Sequence, residues 1–463
     1  MLLAGGRMCI GKVTDTQEGS LPKLGHALLP KFAFEPGFIN LNHGSYGSLP
    51  LPVQHANDAL ALKIEQKPDL YMRSILRSML ADVRERVAKV VNAETEECVI
   101  VPNATHGVNT VLFNLEWKKG DVIVTFSSTY GAVQRAVVMT LDRIPGLEVV
   151  SVPVTYPLSH AALLSLFTTT LTSIPRHDGQ KVLAIIDGIV SMPGVLWPWE
   201  KMCALCKEHD VLSLVDGAHL IGQVPVDLSA AQPDFWVSNG HKWLFTKRAS
   251  AVFYVPKRNQ HLIKFTLPTS VYVSPRDKVP QWEGSKRFEM IFEYCGTIDY
   301  VPYLSFGPAL EFRASLGGEE RINTYCHALA LEGGQKLAEV LGTEVLDKTG
   351  ELTANMTNVR LPLLLPPETL SPTELHDFLF GTMNELADKY NLMIAFAPHA
   401  GQWWVRLSAQ VWNEISDFEK AGGILAAACK RKDEEMKQIV ARRTGPIVPV
   451  TEEEEELMNE EDH

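Results

Sequence analysis

Between residues 98 and 254, short β-branched runs alternate with segments of helical character, and that alternation constrains the fold more than any other feature. The runs are "CVIVP", "VIVTF", "LEVVSVPV", "VLAIIDGIV", "VLSLVDGA" and "ASAVFYV". Helix-like stretches such as "THGVNTVLFNL" and "WEKMCALCKEH" separate them. Strands this uniformly apolar are buried on both faces, which implies an α/β fold with a mostly parallel sheet covered by helices on each side. The last run lies so close behind its predecessor that it reads as an antiparallel neighbour. From about residue 310 the pattern changes to helices with a few strands, the signature of a smaller α+β domain. The expected division is an N-terminal arm (1–30), a large domain (31–310), a small domain (311–445) and an acidic tail (446–463).

Charge and cysteine content exclude several classes. The net charge of -12 is concentrated at the end: "TEEEEELMNEEDH" holds eight acidic residues, which leaves -4 for residues 1–450. No basic cluster suggests nucleic acid as a partner. No run approaches the ~18 apolar residues of a membrane helix, and "MLLAGGRMCIGKV" is too broken for a signal peptide. Seven scattered cysteines fit a reducing compartment, so the expected location is cytoplasmic. Cys203 and Cys206 form a CxxC with no second ligand pair, and read as two small apolar residues on one helix face.

Ligands of open α/β sheets sit at the carboxyl ends of the strands, so the residues just after each run carry the chemistry. After "CVIVP" come Asn103, Ala104 and Thr105, a turn into a helix whose free N–H groups suit a phosphate. No GxGxxG follows that strand and no P-loop occurs, which removes dinucleotide and nucleotide-triphosphate readings. Asp216 ends a wholly apolar strand, where a carboxylate is costly without a cation or strong donor. Ser238, Asn239, Gly240, His241 and Lys242 end the next, where a lysine in apolar surroundings demands the same explanation. Pyridoxal phosphate accounts for all three features: a lysine for a Schiff base, a carboxylate for the pyridine nitrogen and a helix N-terminus for the phosphate.

Over residues 38 to 415 the chain resembles the fold-type I pyridoxal-phosphate enzymes of the class V aminotransferase family, in the isopenicillin N epimerase-like group. The motifs are "INLNHGSYGSLP", "NATHGVNTVL", "TYGAV", "VDGAHLIGQ", "SNGHKWLF" and "GTIDY". The resemblance implies a mainly parallel seven-stranded sheet and a homodimer with shared active sites. It makes Lys242 the Schiff-base lysine and Asp216 the partner of the ring nitrogen. Ala104 and Thr105 would bind the phosphate, with help from Ser238, Asn239 and His241. Tyr130 would stack on the ring and act in catalysis. His219 and Ser191 would reach the ring's phenolic oxygen, His219 also acting catalytically. Thr297 would contact the phosphate of the neighbouring subunit, Arg406 would hold the substrate carboxylate, and Asn42 and His43 would line the substrate pocket.

The substrate is then a small-molecule amino acid, whose α-proton is removed to give a carbanion. Two fungal groups resemble the chain further: the loline-alkaloid enzymes, which close a ring by a Mannich-type step, and the C–S lyases of ergothioneine biosynthesis, which cleave hercynylcysteine sulfoxide. The chain departs from the lyase pattern at His219 (Gln there), Gly240 (Cys) and Val133 (Cys), which favours the cyclase. Epimerase, aminotransferase and desulfurase outcomes remain alternatives, although Cys295 and Cys326 lack the mobile-loop setting of a desulfurase nucleophile. A degenerate binding protein of the same fold is the non-enzyme alternative.

Overall fold

In the computed structural model, which describes residues 21–272, 274, 276 and 285–444, a short strand β1 (Ile39–Asn40) precedes the seven strands of the main sheet. These are β2 (Cys98–Val101), β3 (Val122–Phe126), β4 (Glu148–Val152), β5 (Val182–Asp187), β6 (Leu212–Asp216), β7 (Phe235–Asn239) and β8 (Ala251–Tyr254). Their order across the sheet is β2-β8-β7-β6-β5-β3-β4, with β8 antiparallel to both neighbours and every other pairing parallel. The acidic tail lies outside the described residues, and the N-terminal arm is described only from residue 21.

Alternation along the strands feeds two cores. Val182, Ala184 and Ile186 of β5 face a cluster shared with helices Leu76–Val90, His160–Ser173 and Trp199–Glu208, whereas Leu183 and Ile185 face one shared with helices Ala104–Asn114 and Gly131–Arg143. The period of two therefore puts Asp187 on the second face, and Asp216, two residues after Leu214, beside it. Cys203 and Cys206 are both buried in the first cluster, as small apolar residues would be.

A second sheet, β9 (Met356–Arg360), β11 (Ala395–His399) and β12 (Gln402–Ser408), is antiparallel in the order β11-β12-β9. Trp403, Val405 and Leu407 pack into its own core with helices Gly318–Leu341 and Ile415–Thr444. The alternate residues Trp404, Arg406 and Ser408 consequently face the large sheet. Strand β1 pairs in parallel with β10 (Leu392–Met393), and Ser408 N–H donates to Leu41 O at 2.7 Å. Residues 39–48 are thereby held against the C-terminal sheet and pass directly under the Lys242 segment.

Candidate active site

The carboxyl ends of β2, β3, β5, β6 and β7 share one edge, and the elements leaving that edge supply most of the site. Helix Ala104–Asn114 packs so closely on β7 that a Cβ on Gly107 would stand 2.8 Å from Val237 Cγ2. Its cap Asn103 accepts from His106 N–H at 2.8 Å, and Asn239 Oδ1 accepts from Ala104 N–H at 2.9 Å. Those bonds use two of the first-turn amides, and the half-buried Thr105 supplies the next N–H and a hydroxyl. His241 turns Nδ1 to Ser250 O at 3.2 Å, which leaves Nε2 as its other polar atom, and burial lowers its imidazole to about 4. Ser238 faces the opposite side of the sheet: its Oγ donates to Gly217 O and accepts from Ile221 N–H at 3.0 Å. Sequence adjacency to Asn239 hid that difference, because successive strand residues point to opposite faces.

Lys242 lies on the short helix Gly240–Trp243, with its Nζ 2.9 Å from His219 Nε2. Burial and the nearby Arg406 lower its amine to about 8, with Asp216 opposing. His219 is buried, and burial together with the charge of Lys242 drives its imidazole well below the ordinary range. Asp216 is pushed up by burial, while the Ala218 amide, donating to Oδ1 at 3.0 Å, and Lys242 pull it back. Its register partner across the parallel pair is Asp187, whose Oδ2 reaches no partner among the described residues and whose carboxyl is raised well above the usual range by burial and by Asp216. The sequence reading passed over Asp187, although it ends its strand as Asp216 does.

Arg406 is buried at the centre of β12 and meets only neutral acceptors. Nη1 donates to Ser191 O at 2.7 Å, and Nη2 to Asn42 Oδ1 at 2.9 Å and Ser45 Oγ at 2.8 Å; Nε has no acceptor among the described residues. Desolvation lowers the guanidinium to about 10. A buried cation with no carboxylate beside it is set up to receive one. Ser45 was missed in the sequence; it follows Asn42 by three residues, one helical turn, and also donates to Asn42 Oδ1 at 2.7 Å. His43 is enclosed by Trp243, Phe245 and Trp412, with ring centroids 5.1–5.5 Å away, and is 1% exposed. It is packed behind Lys242, apart from the Arg406 cluster. Tyr130, the residue before helix Gly131–Arg143, is 49% exposed and Thr297 is exposed, so neither is enclosed by the chain's own described residues.

The donor set fits pyridoxal phosphate. The group combines an amine whose pKa burial lowers to about 8, a buried carboxyl needing a cation, and unused donors at a helix N-terminus. Among the described residues no His, Cys, Asp and Glu cluster could hold a metal ion. The described cysteines lie apart from this group: five are buried, and burial lifts the half-buried Cys295 thiol to about 11.

Comparison with known proteins shows the family and the fold. The family model for aminotransferase class-V matches residues 72–369. The chain is 37% identical to the L-cysteine desulfhydrase-like protein lolT1 of Epichloe uncinata, over 88% of this chain and 96% of the relative. It is 31% identical to hercynylcysteine sulfoxide lyase of Schizosaccharomyces pombe, over 88% and 98% respectively. In three dimensions it resembles the cystine C–S lyase C-DES, solved with its product cysteine persulfide. The TM-score is 0.71 at 19% identity, covering 84% of this chain and 98% of the other.

Proposed function

The chain belongs to the aminotransferase class-V family, a family of pyridoxal-phosphate enzymes, and from that premise we propose that it removes the α-proton of an amino acid and forms a ring-closing carbon–carbon bond at that carbon. Lys242 would hold the cofactor covalently, Asp216 its ring nitrogen, and Thr105 with the start of helix Ala104–Asn114 its phosphate. His241, Asn239, Ser191 and Tyr130 complete the proposed lining. Bound there, pyridoxal phosphate supplies an electron sink conjugated to the substrate's α-carbon.

The observation that carries the reading is Arg406. Its buried, carboxylate-free guanidinium binds the substrate carboxylate, and Asn42, Ser45 and Ser191 O fix its plane. Lys242 Nζ, a free amine whose pKa is lowered to about 8, takes the proton from the α-carbon. His219 Nε2, 2.9 Å from that nitrogen, holds it in position.

The choice of ring closure over C–S cleavage rests on the departures from the lyase pattern. A Cβ on Gly240 would stand 2.7 Å from Phe306 Cε1 and 2.8 Å from Thr246 Oγ1, so the cysteine of the lyase pattern has no room here. C–S cleavage is the second reading, favoured by the 31% identity with the sulfoxide lyase and by the name of the lolT1 relative.

The test offers the purified enzyme two substrates: an amino acid bearing a tethered cyclic iminium, and a cysteine sulfoxide conjugate. Cyclised product from the first is expected. Pyruvate from the second with no cyclised product would replace this reading by the lyase. Arg406→Gln should raise KM for the reactive substrate about 10- to 100-fold, the loss of roughly 1.5–3 kcal/mol of charged hydrogen bonding.

A further inference from the structure

Lys242 Nζ and Trp243 Nε1 bind opposite nitrogens of the same imidazole. The indole N–H of Trp243 reaches His219 Nδ1 at 3.2 Å, and Lys242 Nζ stands 2.9 Å from Nε2. An indole nitrogen can only donate, so Nδ1 must be the acceptor and the ring proton of neutral His219 must sit on Nε2. Nε2–H then points at Lys242 Nζ, which can accept it only through the lone pair of an uncharged amine. An ammonium there would require both imidazole nitrogens to accept, which a neutral ring cannot do.

We propose that Trp243 is a positioning residue: it fixes His219 in the tautomer that donates from Nε2, and through His219 it favours the free-base form of Lys242. The inference rests on the proposed role of Lys242 as Schiff-base lysine and base. Trp243 is itself immobilised. It is fully buried, its carbonyl accepts from Arg313 Nη1 at 2.8 Å, and its ring meets His43 edge-on at 5.3 Å. The His219 backbone is held in turn by Gln223 Nε2, donating to its carbonyl at 2.8 Å. The charged and titratable groups facing this pair are Arg406 and Asp216 on Lys242, and Arg406, His241 and His43 on His219. None of these offers Nδ1 a substitute for the indole donor: among the described residues Nδ1 has only the Trp243 bond.

The experiment mixes cofactor-free full-length chain with pyridoxal phosphate and follows the growth of the imine absorbance against pH. In the parent the rate should rise through pH ~8, where Lys242 loses its proton. In Trp243→Phe the ring is free to carry its proton on Nδ1 and accept from an ammonium at Nε2. The midpoint should move up by about one unit, roughly a tenfold slower reaction at pH 7. An unmoved midpoint in a folded variant would overturn the proposal. So would an equal shift when Trp243→Phe is added to His219→Gln, because the indole would then act independently of the imidazole. Nitrogen-15 spectra of the histidine-labelled parent chain decide the matter if the variant does not fold. An unprotonated Nδ1 at His219 supports the proposal, and a protonated one sinks it.

Discussion

Single residues in this molecule are chemically defined by what surrounds them. Arg406, Asp216 and Asp187 are ionisable and buried and Lys242 is half-buried, and of the four all but Asp187 have a ready partner in the proposed chemistry. Burial and the neighbouring Asp216 raise the Asp187 carboxyl well above the ordinary range, which favours its neutral form in the fold. A group with a raised folded pKa contributes stability below its unfolded value, and that stability is lost as pH rises toward the folded value. Asp187→Asn removes this loss. The melting temperature of the variant relative to the parent should therefore climb between pH 4 and 7.5, read by thermal melts at both pH values. A difference that stays flat across that range would mean Asp187 is ionised in the fold. Of the residues discussed at this scale, Lys242 and Asp216 were legible as single letters out of place, a charge in an apolar run, whereas Arg406 was found only through the family resemblance. Ser45 was not legible, because a serine in a turn has an ordinary explanation, whereas Asp187 carried the same signal as Asp216, a carboxylate ending an apolar strand before a glycine.

At the scale of elements, the site depends on close approaches that the strand pattern does not encode. The segment 39–48 lies between β12, through Gly44 N–H donating to Ser408 Oγ at 3.1 Å, and the Lys242 helix. Gly47 makes that passage possible. Its φ is +71°, and a Cβ there would meet His241 O at 1.7 Å, a backbone atom that cannot move aside. Gly47→Ala should cost at least about 2 kcal/mol, since it combines a left-handed φ with a backbone clash. Denaturant unfolding of the parent and the variant checks this, and equal midpoints would show that the two segments are not held together as described. The helix–strand alternation itself was readable, as was the antiparallel β8, which pairs Asn239 with Ala251 across a short connection. The contact between residues 39–48 and Lys242 was not, because nearly two hundred residues separate them.

At the scale of the whole molecule, Thr297 offers a test of the proposed dimer. It is exposed in the single chain, as a residue serving a neighbouring subunit would be. Co-expressed Lys242→Ala and Thr297→Asp chains, each inactive alone, should regain activity, because a mixed dimer then has one site with both residues intact. Sedimentation at twice the chain mass should accompany this. Failure to regain activity in a verified mixed dimer would remove Thr297 from the partner's site.

The sequence by itself determined the parallel α/β framework, because burying a strand on both faces forces an apolar run. It also determined the cofactor class, because an isolated lysine and aspartate at strand ends are expensive without a partner. The tertiary structure alone decided which neighbours share a face. It sent Asn239 to the helix and Ser238 away from it, placed His43 behind Lys242, and put Asp187 in register with Asp216. It also decided that His219 stands between an indole and an amine. Those outcomes depend on strand register and on contacts between distant segments. Local propensity and periodicity describe a residue's own element, and carry no record of which other element it will meet.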